Sequence, residues 1–445
     1  MLKFPTEGTD RTVIFERMDE LKKKDGNWKD GRTWSLVYYA GEELTKLAEE
    51  AYLKFFHANA LNPTVFHSLR QFEIDILSMA ADLFRGDGET AGTLTSGGSE
   101  SILMAVKTYR DEARERHPEI KEPEMILPVS AHASFEKAAH YFGVKAVHIP
   151  LTEEYKADIT ALERAITPNT ILIAGSAPAY PQGIVDPIAE MGRIALKHDL
   201  RLHVDACLGG FILPFVRDLG YPVPDFDFSV PGVSSISADL HKYGFAAKGI
   251  SSLLYRDRAL RKYQYFAYSD WPGGLFVSPS ATGTRPGGAI ASAYAVLNYL
   301  GRSGYQKIAR TVLDITKKLL DGIEAIPGLH ILGRPEAGVF SFSSDIVNIH
   351  ALADKLEERG WIIDQQFSPD CLHFMVTPAH ADSAGVFLED LKAAVEELIA
   401  NPADSRGTSA ALYGMKAELP SGHATEYLLD SLNSLMESNK GREDL

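Results

Sequence analysis

A lysine that directly follows a buried strand is the first candidate for chemistry in this sequence. The segment 235–244 (SISADLHKYG) alternates polar and apolar residues and then presents His241 and Lys242. Burial can lower the pKa of a lysine, and the uncharged amine can then attack a carbonyl carbon. An isolated His-Lys pair after a strand is more often an ordinary surface feature. The neighbouring motifs must therefore decide between these two interpretations.

An aspartate stands in a comparable position in the segment 202–210 (LHVDACLGG), where Asp205 ends an apolar run and small residues follow. Ligands of open α/β sheets bind at the carboxyl ends of the strands, so a carboxylate at this point can meet a cofactor. An ionised aspartate can keep a pyridine nitrogen protonated, which makes the cofactor ring an electron sink. An aspartate that only caps the next helix is the alternative.

Two glycines and a histidine add further candidates. The segment 93–101 (TLTSGGSES) places Gly98 and Ser99 at the predicted start of a helix over 99–116. Backbone amides and the helix dipole favour an anion such as phosphate there, although the Gly-Lys-Ser/Thr of a Walker motif is missing. His132 lies between a predicted strand and a predicted helix and could stack on an aromatic cofactor. A plain capped helix start and a structural histidine are the alternatives.

The elements that must position these residues alternate along the middle of the chain. Apolar runs predict strands at 125–129, 146–149, 170–174, 201–204, 234–238 and 251–255. Because helical stretches separate these runs, we predict an α/β fold with a mostly parallel central sheet. The predicted organisation is an extended N-terminal arm followed by a helix over 1–60, a large domain over 61–300 and a smaller C-terminal α+β domain with a tail over 301–445. A helix is predicted near 425–436 in this tail, which either packs on the rest or is partly disordered, and packing is the favoured alternative.

Composition restricts the functional classes. The 445 residues include 45 basic and 60 acidic residues, for a formal charge of −15, which argues against nucleic acid or an anionic membrane as the main partner. The two cysteines, Cys207 and Cys371, form no disulfide framework and favour a reducing compartment. No apolar stretch reaches about 18–20 residues, and the N-terminus lacks a signal-peptide core. We therefore expect a soluble cytoplasmic enzyme.

Taken together, the motifs resemble sphingosine-1-phosphate lyases. In chain order they are SGGSES, AHASFEKAA, GSAPAYPQGIVDP, LHVDACLGGF, SISADLHKYGFAAKG and GTRPGG, and the resemblance covers about residues 30–400. These lyases are fold-type I enzymes of pyridoxal 5'-phosphate, related to group II decarboxylases. The resemblance implies that Lys242 carries the cofactor as a Schiff base. It also implies retro-aldol cleavage of a phosphorylated long-chain base to a long-chain aldehyde and phosphoethanolamine. Eukaryotic members carry a membrane anchor, so this chain resembles a soluble, bacterial-type form.

The resemblance implies a role for each cofactor-side residue. Asp205 would pair with the ring nitrogen, His132 would stack on one ring face, and Cys207 would lie by the other. Donors to the cofactor phosphate would be Gly98, Ser99 and His241. Thr284, within GTRPGG, would reach the phosphate from a neighbouring subunit, which implies a homodimer with composite active sites. No metal site is implied.

The resemblance also implies substrate contacts. Tyr180 and Lys248 would bind the substrate phosphate, one as a hydroxyl donor and one as a point charge. A surface role is the alternative for Lys248. Further substrate candidates are Tyr38 or Tyr39, which resemble a tyrosine that enters the partner's site, and Asn62, with His57 and Asn59 as weaker alternatives. The family has a histidine where this chain has Asn62, so the resemblance leaves open both the substrate contact and any proton-handling role at this position.

Two questions stay open at the level of sequence. The catalytic base is Lys242, His132 or a tyrosine. The second candidate function is a group II amino-acid decarboxylase, which would share Lys242, Asp205 and His132, and for which Arg285 is the nearest candidate carboxylate ligand. A third alternative is a non-catalytic protein of the same fold.

Overall fold

A computed structural model describes residues 4–62, 64–401 and 421–437 of the chain. Its helices are α1 (Arg11–Lys22), α2 (Glu42–Lys54), α3 (His67–Leu83), α4 (Gly98–Arg116), α5 (Ser134–Phe142), α6 (Ile159–Ala165), α7 (Ile188–Lys197), α8 (Leu213–Asp218), α9 (Arg258–Lys262), α10 (Gly287–Glu324), α11 (Ile349–Glu357), α12 (Ser383–Ala400) and α13 (Ser421–Glu437). The first seven strands are β1 (Ala91–Thr95), β2 (Glu124–Pro128), β3 (Lys145–Ile149), β4 (Thr170–Ser176), β5 (Arg201–Asp205), β6 (Val233–Ala238) and β7 (Ser251–Tyr255). The remaining strands are β8 (Phe266–Tyr268), β9 (Phe276–Ser278), β10 (Leu329–Ile331), β11 (Val339–Ser344), β12 (Asp364–Gln366) and β13 (Cys371–Met375).

The first seven strands form one sheet in the order β1-β7-β6-β5-β4-β2-β3. Strand β7 runs antiparallel to both of its neighbours, while the other pairings are parallel. Strands β4 and β6 are buried along their whole length, as expected for a parallel sheet covered by helices on both faces. The predicted α/β class with a mostly parallel central sheet is therefore confirmed.

A second, antiparallel sheet of four strands has the order β10-β11-β13-β12 and packs with α11 and α12. Helix α10 leads from the large sheet to this smaller α+β unit and kinks at Gly301, whose φ is 51°. A segment of the N-terminal arm crosses to the small unit, where the Trp34 ring stacks on His380 at 4.2 Å. The boundaries proposed at 60 and 300 remain predictions.

Two segments differ from the expectations. The N-terminal arm contains the helix α1, which buries none of its residues. The C-terminal helix α13 was expected to pack, but Leu428 and Leu432 are more than half exposed and Met436 is 81% exposed. Their apolar side chains recur at helical spacing. This spacing predicts a helix, but it does not show that another surface covers the apolar face of that helix. Among the described residues, no helix is long and apolar enough to cross a bilayer.

Candidate active site

A cavity of about 340 Å³ opens at the carboxyl ends of the parallel strands. Strand β5 ends there at Asp205, and β6 is followed by the turn that carries Lys242. The start of α4 and His132, from the turn before α5, also line the cavity. Its lining residues include Gly98, Ser99, His132, Tyr180, Asp205, Cys207, Asp239, His241 and Lys242. The structure thus brings together residues from motifs that are up to 144 positions apart, from Gly98 to Lys242.

Lys242 is paired with a carboxylate that the motifs did not indicate. Its Nζ lies 3.0 Å from Oδ2 of Asp239, whose side chain is completely buried. Burial alone would lower the pKa of Lys242, but the Asp239 charge outweighs it and raises that pKa above its ordinary value. The expectation of a lysine with a lowered pKa is therefore wrong. The ion pair with Asp239 favours the ammonium form of Lys242.

Asp205 is held by donors on one side. Its Oδ1 accepts the backbone N–H of Cys207 at 3.0 Å and the hydroxyl of Ser237 at 3.4 Å. The side chain is buried yet lines the cavity. A carboxylate fixed in this way can offer its second oxygen to a protonated ring nitrogen.

The start of α4 is shaped for close approach of a ligand. A Cβ added at Gly98 would lie 2.7 Å from Oδ2 of Asp239 and 2.8 Å from Sγ of Cys207, so only glycine fits there. Ser99 is exposed and shares a hydrogen bond with Ser134. Free backbone amides at a helix start favour a phosphate group.

Two ring-bearing side chains and a thiol surround the same space. His132 is held at the cavity by its Nδ1, which accepts the N–H of Ser134 at 3.1 Å. His241 is held by a 2.7 Å hydrogen bond between its Nδ1 and the carbonyl of Ile250. Burial raises the pKa of the Cys207 thiol well above its ordinary value, so that this side chain stays small and neutral.

These groups fit pyridoxal phosphate by the chemistry of its three ends. The lysine amine suits the aldehyde, the Asp205 carboxylate suits the ring nitrogen, and the glycine-containing start of α4 suits the phosphate. The volume lies within the usual range for a small-ligand site. The site therefore has the donors, the acceptor and the amine that this cofactor requires.

The expected substrate-phosphate residues have other partners in the structure. The Tyr180 hydroxyl donates to Oδ2 of Asp364 at 2.8 Å, and burial together with the Asp364 charge raises the pKa of Tyr180. Lys248 is an exposed residue whose Nζ donates to the carbonyl of Leu36 at 2.8 Å. Packing around its ammonium group, with the nearby Lys242 charge, lowers the pKa of Lys248 to about 8. Tyr180 lines the cavity, whereas Lys248 lies beside it behind His241.

Tyr38 lies next to Lys248 in the same chain. The Lys248 Nζ is 5.0 Å from the centre of the Tyr38 ring, and the Tyr38 hydroxyl contacts Sδ of Met375 at 2.9 Å. This position needs no second subunit, in contrast to the implied entry of this tyrosine into a partner's site. Tyr39 instead bonds to Glu42 at 3.4 Å.

Other expected residues lie outside the cavity of their own chain. The cavity lining of the described chain does not include His57, Asn59, Asn62 or Thr284. Asn62 accepts two hydrogen bonds from Thr64, and Asn59 donates to Thr284 at 3.4 Å. Arg285 is 9% exposed and is paired with Glu73 and with the carbonyl of Ala60.

Three residues of the site were not indicated by the motifs. Asp239 stands three residues before Lys242, and opposite charges at this spacing after a strand were an available signal. His203 lies two residues before Asp205 on the same face of β5, a period-two signal. Asp364 comes from the short strand β12, far along the chain, and no local pattern could connect it to Tyr180.

Comparison with known proteins first defines a class. Residues 63–345 match the family model described as the pyridoxal-dependent decarboxylase conserved domain. A glutamate decarboxylase from Lactobacillus brevis has the same fold, with a TM-score of 0.78 at 19% identity over 90% of this chain and 95% of that chain. The protein thus has the fold and the cofactor of pyridoxal-phosphate enzymes.

Closer relatives narrow this class. A sphingosine-1-phosphate lyase from Oryza sativa subsp. japonica is 43% identical over 97% of this chain and 81% of its own length. The solved structure of a sphingosine-1-phosphate lyase from Burkholderia pseudomallei superposes with a TM-score of 0.90 at 36% identity, covering 98% of this chain and 97% of that chain. The chain belongs to the sphingosine-1-phosphate lyase family, as its motifs predicted.

Proposed function

We propose that this protein cleaves phosphorylated long-chain bases, such as sphingosine 1-phosphate and sphinganine 1-phosphate, to a long-chain aldehyde and phosphoethanolamine. The observation that carries the proposal is the meeting of Lys242 and Asp205 in one cavity of a chain whose near full-length relatives are named sphingosine-1-phosphate lyases. Bound pyridoxal phosphate supplies the sink for the electron pair that the breaking carbon–carbon bond releases.

Each residue around the cavity would have its own role in holding the cofactor. Lys242 would hold the aldehyde carbon of the cofactor, and Asp205 would keep the ring nitrogen protonated. His132 and Cys207 would enclose the two ring faces. Donors for the cofactor phosphate would be Gly98, Ser99 and His241. This arrangement would hold the scissile bond of the substrate perpendicular to the ring, which is the orientation the cleavage needs.

The base that takes the substrate hydroxyl proton must line the cavity. Lys242, His132 and Tyr180 all do so. The raised pKa of Tyr180, caused by burial and by Asp364, keeps its hydroxyl protonated and makes it a poor base at neutral pH. The same reasoning counts against Lys242, because the Asp239 charge raises its pKa. His132 is therefore the better candidate for the base, and Tyr180 is better suited to donating a hydrogen bond.

The substrate phosphate would bind beside the cavity, between Tyr180 and Lys248. Both residues would exchange their present partners, Asp364 and the Leu36 carbonyl, for phosphate oxygens. Tyr38 would cover this position, because its ring already contacts the Lys248 ammonium group. Asn62, in place of the usual histidine, would supply a neutral amide where the family offers a titratable ring.

A homodimer would complete the site. Thr284 and Asn62 are exposed and lie outside the cavity of their own chain, so they would serve the partner's cavity. Large apolar side chains close to Asn62 in sequence are exposed in the single chain, namely Leu53, Phe56 and Val65. A symmetric interface would cover them. Mixing Lys242→Ala and Thr284→Ala subunits tests this, because a shared site predicts more activity in the mixture than in either variant alone.

We place the protein in the cytoplasm as part of the same proposal. Both cysteines, Cys207 and Cys371, are buried and free. Free thiols are typical of proteins in a reducing compartment. Labelling of both thiols after unfolding in the absence of a reducing agent would be consistent with this placement, and a disulfide between them would contradict it.

An amino-acid decarboxylase is less well supported by the structure. The arginine nearest to the motifs, Arg285, is committed to Glu73 and is buried away from the cavity lining. It cannot bind a substrate carboxylate without breaking this buried pair, which would be costly.

Product analysis tests the proposed function. The holoenzyme is incubated with sphingosine 1-phosphate, and long-chain aldehyde and phosphoethanolamine are measured, with Lys242→Ala as the inactive variant. Equal amounts of both products from the wild type alone are expected. Release of carbon dioxide from amino acids, without cleavage of the phosphorylated base, would contradict the proposal.

A further inference from the structure

Polar residues occupy matching positions on two neighbouring buried strands. In the register of β5 with β6, His203 lies opposite Ser235 and Asp205 lies opposite Ser237. His203, Ser235 and Ser237 are completely buried, and Asp205 is 7% exposed. Polar groups are rare in such positions unless they bond to one another. The four side chains therefore form one polar cluster within the sheet, beneath the cavity.

Hydrogen bonds connect these residues in one continuous chain that begins on helix α4. The Tyr109 hydroxyl donates to Oγ of Ser235 at 2.6 Å, and this oxygen lies 2.8 Å from Nδ1 of His203. On the other side of the ring, Nε2 of His203 lies 3.2 Å from Oγ of Ser237. The Ser237 hydroxyl donates to Oδ1 of Asp205 at 3.4 Å.

Only one arrangement of protons gives every donor an acceptor. Ser235 accepts from Tyr109, so its own proton must go to Nδ1 of His203. The histidine then carries its proton on Nε2 and donates to Ser237, which passes its own proton toward Asp205. Burial lowers the pKa of His203 to about 4, which keeps the ring neutral as this arrangement requires.

We infer that Tyr109, Ser235, His203 and Ser237 form a buried relay of positioning residues for Asp205. The relay delivers a hydrogen bond to one carboxylate oxygen, which stabilises the charged carboxylate and leaves the other oxygen to the cavity. A better-stabilised carboxylate leaves the shared proton on the ring nitrogen of the cofactor. This inference rests on the proposed pairing of that nitrogen with Asp205. It adds that residues that do not touch the cofactor control the protonation of its ring nitrogen, and with it the capacity of the ring to accept electrons.

The test measures the ring nitrogen directly in the holoenzyme without substrate. Wild type, Ser237→Ala and Tyr109→Phe are loaded with nitrogen-15-labelled pyridoxal phosphate, and the nitrogen chemical shift is recorded. Ser237→Ala should move the signal toward that of unprotonated pyridine and raise the cofactor dissociation constant about tenfold. Tyr109→Phe, at the far end, should shift the signal in the same direction by less, with less than about a twofold change in affinity.

The matched control is Ser252→Ala. Ser252 is a completely buried serine on the neighbouring strand β7, and it donates to the Ala238 carbonyl without contacting the relay. The ring-nitrogen signal of the cofactor bound to Ser252→Ala should equal the signal in the wild type. Unchanged signals in both relay variants, or an equal shift in the control, would overturn the inference. Tyr109→Phe keeps the ring in place and so remains informative should Ser237→Ala fold poorly.

The outcomes also separate this inference from the proposed function. If the wild type does not bind the cofactor with a protonated nitrogen, the proposed site itself is wrong. If the wild type does so and cleaves no phosphorylated base, the relay can still be judged from the nitrogen signal. A shift in Ser237→Ala then supports the relay whatever the substrate.

Discussion

Replacing Asp239 by asparagine should speed the capture of pyridoxal phosphate by Lys242. The amine attacks an aldehyde only when it is unprotonated, and the Asp239 carboxylate at 3.0 Å raises the pKa of Lys242. The Asp239→Asn substitution keeps the side-chain volume and removes the charge. The pKa of Lys242 should therefore fall, because the burial that lowers it is no longer opposed.

The size of the effect follows from the pair distance. Two unit charges 3.0 Å apart attract each other by about 5 kcal/mol at an effective dielectric constant of about 20. Relaxation of the site, together with the amide dipole that replaces the carboxylate, recovers about half of this. The remainder corresponds to about 2 pKa units, at about 1.4 kcal/mol per unit. The pH profile of cofactor capture should thus move about 2 units lower, with capture near neutral pH about 10 to 100 times faster.

The assay follows the visible absorbance of lysine-bound cofactor after mixing with apoenzyme at a series of pH values. Asp227→Asn is the control, because Asp227 is equally buried and pairs with Arg85 and Arg217 away from the cavity. Its capture profile should match that of the wild type. An unmoved profile in Asp239→Asn would refute the assignment of Asp239 as the group that keeps Lys242 charged.

Three further outcomes are expected. Packing around the ammonium group and the nearby Lys242 charge lower the pKa of Lys248 to about 8, so KM for the phosphorylated base should rise several-fold from pH 7.5 to 9. The Lys248→Ala variant should lose this pH dependence and raise KM at least about tenfold. It should keep the absorbance of the bound cofactor. Gly98→Ala should weaken cofactor binding about tenfold, since its Cβ would meet side chains at 2.7–2.8 Å, whereas Gly88→Ala, with open space around it, should not; equal affinities would contradict this. Asp227→Asn should reduce the free energy of unfolding by about 2 kcal/mol in a denaturant titration, because it removes the charge of a completely buried carboxylate that pairs with Arg85 and Arg217, and an unchanged midpoint would contradict this.

The elements that build the site could be predicted from the sequence because their signals are local. The run at 251–255 has the predicted bounds, and the strand that ends at Asp205 is one residue longer than expected. Apolar runs bounded by turns and helical periods carry this information. The edge strand β1 was missed because its glycine and threonines resemble the loop that precedes α4.

The pairing of charged groups could not be obtained in this way. Sequence spacing indicated that burial would lower the pKa of Lys242, but the sign of that shift depends on Asp239, whose orientation follows from the turn after β6. The Tyr180–Asp364 bond joins residues 184 positions apart and requires the small antiparallel sheet to lie against the cavity. Such contacts depend on tertiary packing, which no local pattern encodes.

Reduction of the holoenzyme with borohydride, followed by mass analysis of its peptides, tests most directly whether Lys242, which lines the same cavity as Asp205, holds the cofactor. The peptide that contains Lys242 should carry the mass of the reduced cofactor, and the Lys242→Ala protein should carry none. Cofactor trapped on another lysine, or on no lysine of an active preparation, would contradict this account of the site.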